Sequence, residues 1–325
     1  MKLTHDRNRM RRITDAREFG KVAVLYGGAS TEREISLASG AAVLAALKRR
    51  GIDATGVDPR DEPLAELPGR GFARAFIVLH GPGGEDGSLQ GALELLGLPY
   101  TGSGVLGSAL GMDKLRTKRL ASAVGVATAD SVVLRSVADC ALALERLGLP
   151  MIVKPATQGS SVGMTKVTRA EELEPAFHAA RAVDDSVFAE KWITGAEYTV
   201  AVLHRRVLPA IRIEVANAFY DYEAKYKRND NKYHIPAGLS AQAEAHMASL
   251  ALATFDAVGA EGWGRVDFMA DHTGRPLLLE INTVPGMTDH SLVPKAAGAA
   301  GIDFDELCWQ ILETSFVRER VEAAR

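Results

Sequence analysis

Residues 151–167 read Met-Ile-Val-Lys-Pro-Ala-Thr-Gln-Gly-Ser-Ser-Val-Gly-Met-Thr-Lys-Val. Met151 to Lys154 reads as a strand, and Met164 to Val167 as another. They flank a loop of small and hydroxylated residues with no room for a crossover helix, so the pairing is antiparallel. Lys154 stands where the first strand meets the loop. Glycine at 159 and 163 lets the backbone come close to a ligand, and loop N–H groups of this kind cradle phosphate oxygens beside a lysine charge. A plain glycine-rich hairpin turn has the same composition. Lys114, upstream in a helical stretch, is a second candidate phosphate ligand.

Upstream the pattern changes. Val22 to Tyr26, Ala54 to Val57 and Ala75 to Leu79 are short apolar runs that alternate with helical stretches at Ser36 to Arg49 and Leu89 to Leu96. This alternation indicates a parallel sheet with helices on both faces. Between the two patterns, Asp113 to Ala123 and Val137 to Leu147 read as helices and Ser131 to Leu134 as a strand. Downstream, Tyr198 to Leu203 and Val207 to Ile213 read as strands. A polar, aromatic loop covers residues 217–236, too long for a simple connection and suited to a lid. Ala241 to Val258 is a helix, and Trp263 to Met269 with Pro276 to Asn282 form a hairpin around Asp271-His-Thr-Gly274. A final helix spans Phe304 to Val317.

Composition bounds the function. Of 325 residues, 47% are hydrophobic and 24% charged, as in soluble globular proteins of two or three domains. The net charge of −3 argues against a nucleic-acid-binding surface, which needs a basic excess. Two cysteines, Cys140 and Cys308, are too few for a disulfide framework or a four-ligand zinc site. No apolar run approaches the ~18 residues of a membrane span. The first 18 residues are basic, and Arg11-Arg12 is not followed by an apolar export segment. Cytoplasmic residence is the expectation.

The hairpin is the candidate metal site. Glu280 and Asn282 are two apart and share a strand face. A turn centred between His272 and Thr273 sets Arg265 opposite Glu280 and Asp267 beside Leu278. Val266, Phe268, Leu277 and Leu279 then face the core. Carboxylate and amide oxygens suit Mg²⁺, although a solvated face with one salt bridge fits the same pattern. Glu190-Lys-Trp-Ile193 with Glu197 follows a strand and can hold an adenine edge and ribose hydroxyls; a linker with a salt bridge is an equal reading. Gly102-Ser-Gly104-Val-Leu-Gly107 matches a dinucleotide fingerprint, but it lacks a good preceding strand and an acidic residue ending the next one.

Taken together, these stretches resemble the D-alanine–D-alanine ligases of the ATP-grasp superfamily. The matching strings include Glu32-Arg-Glu-Ile-Ser36, Gly84-Glu-Asp-Gly87, Met112-Asp-Lys-Leu115, Gly159-Ser-Ser-Val-Gly-Met164, Glu190-Lys-Trp192, Gly262-Trp-Gly-Arg265, Glu280-Ile-Asn-Thr283 and Pro285 to Leu292. They run in family order from about Lys21 to Glu313. The resemblance implies a mixed α/β and α+β chain with the ATP-grasp fold. A basic extension (1–18) would precede a Rossmann-like parallel-sheet domain (19–102). Two α+β units would clamp ATP between them: a central one (103–189) and a C-terminal one (190–325) with a lid at 217–236.

It also implies roles. ATP and two Mg²⁺ (or Mn²⁺) would serve the ligation of two D-alanine molecules through a D-alanyl phosphate, with no nucleic-acid or membrane partner and a homodimeric assembly. Lys114, Lys154 and Lys225 would hold phosphates. Glu190, Lys191, Trp192, Ile193 and Glu197 would hold adenine and ribose between Phe219 and Met269, and Asp267, Glu280 and Asn282 would hold metal. Glu32, with His80 nearby, would bind the first ammonium. Arg265 and the Gly286 N–H would stabilise the oxyanion, and Ser291 with Leu292 would bind the second carboxylate. Ser160 and Tyr226 would tie glycine loop and lid to Glu32, and a tyrosine at 226 favours an amine acceptor over a hydroxyl one. The competing readings are a nicotinamide oxidoreductase at Gly102, a non-catalytic ATP-binding regulator, and another ATP-grasp amino-acid or depsipeptide ligase.

Overall fold

A computed structural model describes residues 12–214 and 231–318. The expected ligands Phe219, Lys225 and Tyr226 lie outside the described residues, as do 1–11 of the basic extension.

The first sheet is parallel, in the order β2 (Ala54–Val57), β1 (Val22–Leu25), β3 (Arg74–Ile77). All four residues of β1 and of β3 are buried, as strands covered on both faces must be. Helix α1 (Arg33–Arg49) starts three residues earlier than its hydrophobic pattern suggests. It stops at Gly51, whose left-handed backbone (φ 76°) lets its N–H reach the Lys48 carbonyl while Ile52 N–H reaches Leu47. Helix α2 (Ser88–Leu95) follows β3.

Helices α3 (Val105–Met112) and α4 (Lys114–Ala123) come next. The Asp113 carboxylate caps α4 by accepting the Arg116 N–H at 2.9 Å. The glycine fingerprint at 102–107 serves packing: Gly104 caps α3, and a Cβ on Gly107 would stand 2.3 Å from the Gly259 carbonyl oxygen.

The second sheet is antiparallel, in the order β4 (Ser131–Leu134), β7 (Val187–Lys191), β5 (Met151–Pro155), β6 (Thr165–Val167). Helices α5 (Asp139–Leu147) and α6 (Leu173–Arg181) bury their apolar faces on it around Val153, Phe177 and Ala189. The boundary expected after residue 189 falls inside β7, which is paired with both neighbours and carries the sheet on to Lys191.

The third sheet runs β11 (Lys232–His234), β10 (Ile211–Glu214), β8 (Glu197–Leu203), β12 (Trp263–Ala270), β13 (Pro276–Asn282), with β9 (Arg206–Val207) paired to β8. Two expectations change here. The single strand expected at Val207 to Ile213 is two strands, interrupted where Pro209 cannot donate to a ladder. The loop expected to run to Pro236 already holds β11, paired with β10. Helix α7 (Ala241–Val258) packs on one face of this sheet, α8 (Leu292–Ala299) packs against β8, and α9 (Phe304–Glu313) packs against α1, in a core shared with the first sheet where Trp309 meets Phe19.

The hairpin register also differs from expectation. Arg265 pairs with Asn282 and Asp267 with Glu280, and a bulge then leaves Leu279 without a partner before Phe268 meets Leu278. The slip is two residues, so Arg265, Asp267, Glu280 and Asn282 keep one face. Beyond the bulge the parity inverts. Leu278 and Ile281 enter the core with Val266 and Phe268, and Leu279 turns toward the cleft. Leu278→Ala is therefore expected to cost about 2–5 kcal/mol in urea denaturation, whereas Leu277→Ala, only half-buried, should cost about 1 kcal/mol or less. The reverse order would mean that the bulge is misplaced.

Candidate active site

Two cavities meet between the sheets. The larger, of 390 Å³, lies between the second and third sheets; the smaller, of 40 Å³, opens toward the first. Lys114 and Glu280 line both, with Lys114 Nζ 3.2 Å from Glu280 Oε2. This shared wall is where a group could pass from one occupant to the other.

The larger cavity gathers Lys154, Glu190, Lys191, Trp192, Ile193, Glu197, Asp267 and Met269, all expected around a nucleotide. Its apolar walls include Ile152 and Leu279, which sequence reasoning did not assign. Glu190 is buried on β7, with Lys154 Nζ at 2.5 Å from one carboxylate oxygen and Lys118 Nζ at 2.6 Å from the other. Burial alone would raise the Glu190 carboxyl, but the two ammonium charges outweigh it and hold it below the ordinary carboxylate range. Lys118 was missed. Its signal was its place one helical turn after Lys114, on the same face of α4.

The three residues expected to hold metal, Asp267, Glu280 and Asn282, occupy neighbouring positions across β12 and β13. Asp267 accepts from Thr199 Oγ1 at 2.6 Å, from Arg265 through both carboxylate oxygens, and from Asn282 Nδ2 at 3.1 Å. Glu280 stands directly across from it. Two carboxylates and an amide, all oxygen donors, fit a hard divalent cation that keeps phosphate and water in its remaining positions.

The smaller cavity collects Glu32, His80, Ser160, Arg265, Asn282 and Gly286. Glu32 precedes α1 and is buried. Ser160 Oγ donates to its carboxylate across 128 positions of sequence, tying the glycine loop to the first sheet. A Cβ on Gly159 would lie 2.6 Å from Glu32 Oε2, so only glycine permits this approach. Ser160 and Ser161 sit in the left-handed region (φ 50° and 61°), which costs non-glycine residues about 1–3 kcal/mol each.

His80 Nδ1 donates to the Val284 carbonyl at 2.8 Å, 3.5 Å from Glu85 Oε1, and its buried Nε2 has no hydrogen-bond partner among the described residues. Burial opposes charging this imidazole; the hydrogen bond and charge of Glu85, with the charge of Glu32, prevail and raise its pKa. Glu85 lies in the Gly84-Glu-Asp-Gly87 string, whose pattern assigns it no role of its own. Ser291 and Leu292 do not line the cavity. Ser291 Oγ lies behind Gly286 and accepts the Thr288 N–H at 3.0 Å, and Leu292 is buried in the core.

The model for the D-ala D-ala ligase C-terminus matches residues 120–313, and that for the N-terminus matches 68–103. A D-alanine–D-alanine ligase of Alkalilimnicola ehrlichii is 59% identical over 304 residues, covering 94% of this chain and 97% of its own. The chain belongs to the D-alanine–D-alanine ligase family. Among solved structures, the Bacillus anthracis D-alanine–D-alanine ligase complexed with ATP superposes with a TM-score of 0.81 at 32% identity, over 92% of this chain and 98% of that one. The VanG D-Ala:D-Ser ligase of Enterococcus faecalis gives 0.79 at 31%, over 91% and 99%. The ATP-grasp arrangement of the three sheets is that of these ligases.

Glu190 carries a prediction. Its folded pKa is depressed, so its stabilisation is present above the unfolded value of about 4.3 and is lost as pH falls through the folded value. Glu190→Gln, which leaves two buried lysines short of a counter-charge, should destabilise the ligase by about 3–5 kcal/mol at neutral pH. In denaturation curves taken below about pH 4 the gap to wild type should narrow. A gap independent of pH would mean that the carboxylate is not the stabilising species.

Proposed function

We propose that the protein joins two D-alanine molecules to D-alanyl-D-alanine, a peptidoglycan precursor, with conversion of ATP to ADP and phosphate. The family uses ATP with divalent metal. The observation that carries the reading is the wall shared by the two cavities, where Lys114 and Glu280 face both.

Phosphoryl transfer asks a protein mainly for positioning and charge neutralisation. Lys114 and Lys154 supply positive charge along the larger cavity. Asp267 of the larger cavity, Asn282 of the smaller one and Glu280, which lines both, would hold Mg²⁺, which neutralises phosphate charge when bound. The first D-alanine would rest its ammonium on Glu32 near His80, and its carboxylate would take the γ-phosphoryl group at the Lys114–Glu280 wall. The amine of the second D-alanine then attacks the acyl phosphate carbonyl, and phosphate leaves. Negative charge on the tetrahedral oxygen would meet the Arg265 guanidinium and the Gly286 N–H, which line the same small cavity. Arg265 is fixed for this by its two-pronged contact with Asp267. Ser291, behind Gly286, would support the loop facing the second carboxylate.

The three sheets suggest three units near 19–102, 103–191 and 192–318. A homodimer is supported by exposed apolar side chains around one surface pocket: Val105 and Leu106 of α3 and Val317. Leu106→Asp is expected to shift the protein toward monomer in sedimentation; an unchanged mass would place the contact elsewhere. No helix among the described residues is long and apolar enough to cross a membrane. Cytoplasmic residence is supported by the requirement for ATP and by two free, buried cysteines.

Phosphate release from ATP, measured with D-alanine, L-alanine, D-serine, D-lactate or no acceptor, tests the reading. Release should require D-alanine and yield the dipeptide; equal release without an amino acid would overturn it. Arg265→Ala should lower turnover by about 10²-fold or more, the size found for lost oxyanion donors.

A further inference from the structure

Helix α4 presents two buried ammonium groups one turn apart, and each spans the same pair of sheets. Lys114 Nζ donates to the Gln158 carbonyl in the loop after β5, at 2.7 Å, and approaches Glu280 on β13. Lys118 Nζ donates to the Leu278 carbonyl on β13, at 2.7 Å, and pairs with Glu190 on β7. Lys118 is 4% exposed and does not line either cavity. The Leu278 N–H is held in turn by the Ala127 carbonyl at 2.8 Å, so both backbone groups beside the bulge are pinned by the segment that leads into the second sheet.

We propose that Lys118 is a positioning residue for the nucleotide base. Holding Glu190 and the Leu278 carbonyl at once, it fixes the distance between the second and third sheets beside Glu190. It also sets which way the Glu190 carboxylate faces. Leu279, next to the pinned carbonyl, is thereby set as an apolar wall of the same cavity. The proposal rests on the reading of Glu190 as a group that meets the base. A carboxylate there accepts from the exocyclic amine of adenine and repels the carbonyl that guanine carries at the same place. Lys154 alone does not fix this orientation, because it pairs with one oxygen of Glu190 and leaves the other to Lys118. Burial and the nearby Lys154 charge depress the Lys118 pKa, and Glu190 opposes them.

The test compares Lys118→Met, Lys118→Arg and Glu190→Gln in the full chain with Mg²⁺. Calorimetric titration with ATP in the absence of D-alanine is the first readout. Steady-state KM for each substrate and the preference for ATP over GTP are the others. Lys118→Met should weaken ATP binding about tenfold or more. KM for D-alanine should stay within about threefold, the ATP preference should fall, and Lys118→Arg should recover most of the loss. ATP affinity unchanged in a Lys118→Met protein with a native melting curve would overturn the proposal. So would a parallel loss in both KM values and kcat with an intact nucleotide preference, the mark of a merely structural role. If Glu190→Gln leaves ATP affinity and nucleotide preference untouched, the underlying reading of Glu190 fails instead.

Discussion

Three ammonium groups, on Lys114, Lys118 and Lys154, are buried at the meeting of the second and third sheets. Such charges are tolerated in a low-dielectric interior only when paired and hydrogen-bonded. The partners they find are Glu190, Glu280 and two backbone carbonyls, drawn from β7, β13 and the glycine loop. Two of these charges, on Lys114 and Lys154, also line the cavity that the proposed reading gives to a nucleotide, so groups that hold the sheets together are placed where phosphate charge would need them. Lys114 and Lys154 are thus fixed in place by their partners before any ligand arrives, so less rearrangement is needed when phosphate charge enters or shifts.

Much of the site was legible because its chemistry is concentrated in short strings. Lys154 at a strand end before a glycine loop announces an anion, and Glu280 with Asn282 announces a shared face. The face survived an error in register because a slip of two residues preserves side-chain parity. The bulge at Leu279 was not legible, since Leu277-Leu-Leu279 offers three equivalent side chains and no glycine to mark the break. Packing against α7 decides which leucine is buried, and that is a tertiary choice.

Helices α3, α6 and α8 were also invisible in the sequence. α3 contains two glycines, α6 has Pro175 in its first turn, and α8 has Pro294 in its first turn and Gly298 near its end. Glycine lowers intrinsic propensity in α3 and α8, a proline that the first turn tolerates masks the start of α6, and burial of apolar residues supports each. Gly107 shows the logic: the residue that weakens α3 is the one that lets it touch the end of α7 at Gly259. Glu85 escaped for another reason. Its role exists only beside His80, five positions earlier, once the loop between them has turned back.

The contact between Glu32 and Ser160 links these observations to catalysis. The serine is on a loop whose left-handed residues are costly, and the carboxylate is buried at the mouth of the first sheet. Each relieves the other: Glu32 gains a donor, and the loop gains an anchor that offsets its backbone strain. An ammonium arriving at Glu32 would then be sensed by the loop that begins two residues after Lys154. On the proposed reading, occupancy of the cavity at Glu32 and placement of the glycine loop would be one event. That coupling suits a reaction in which an acyl phosphate, once formed, must meet an amine before it meets water.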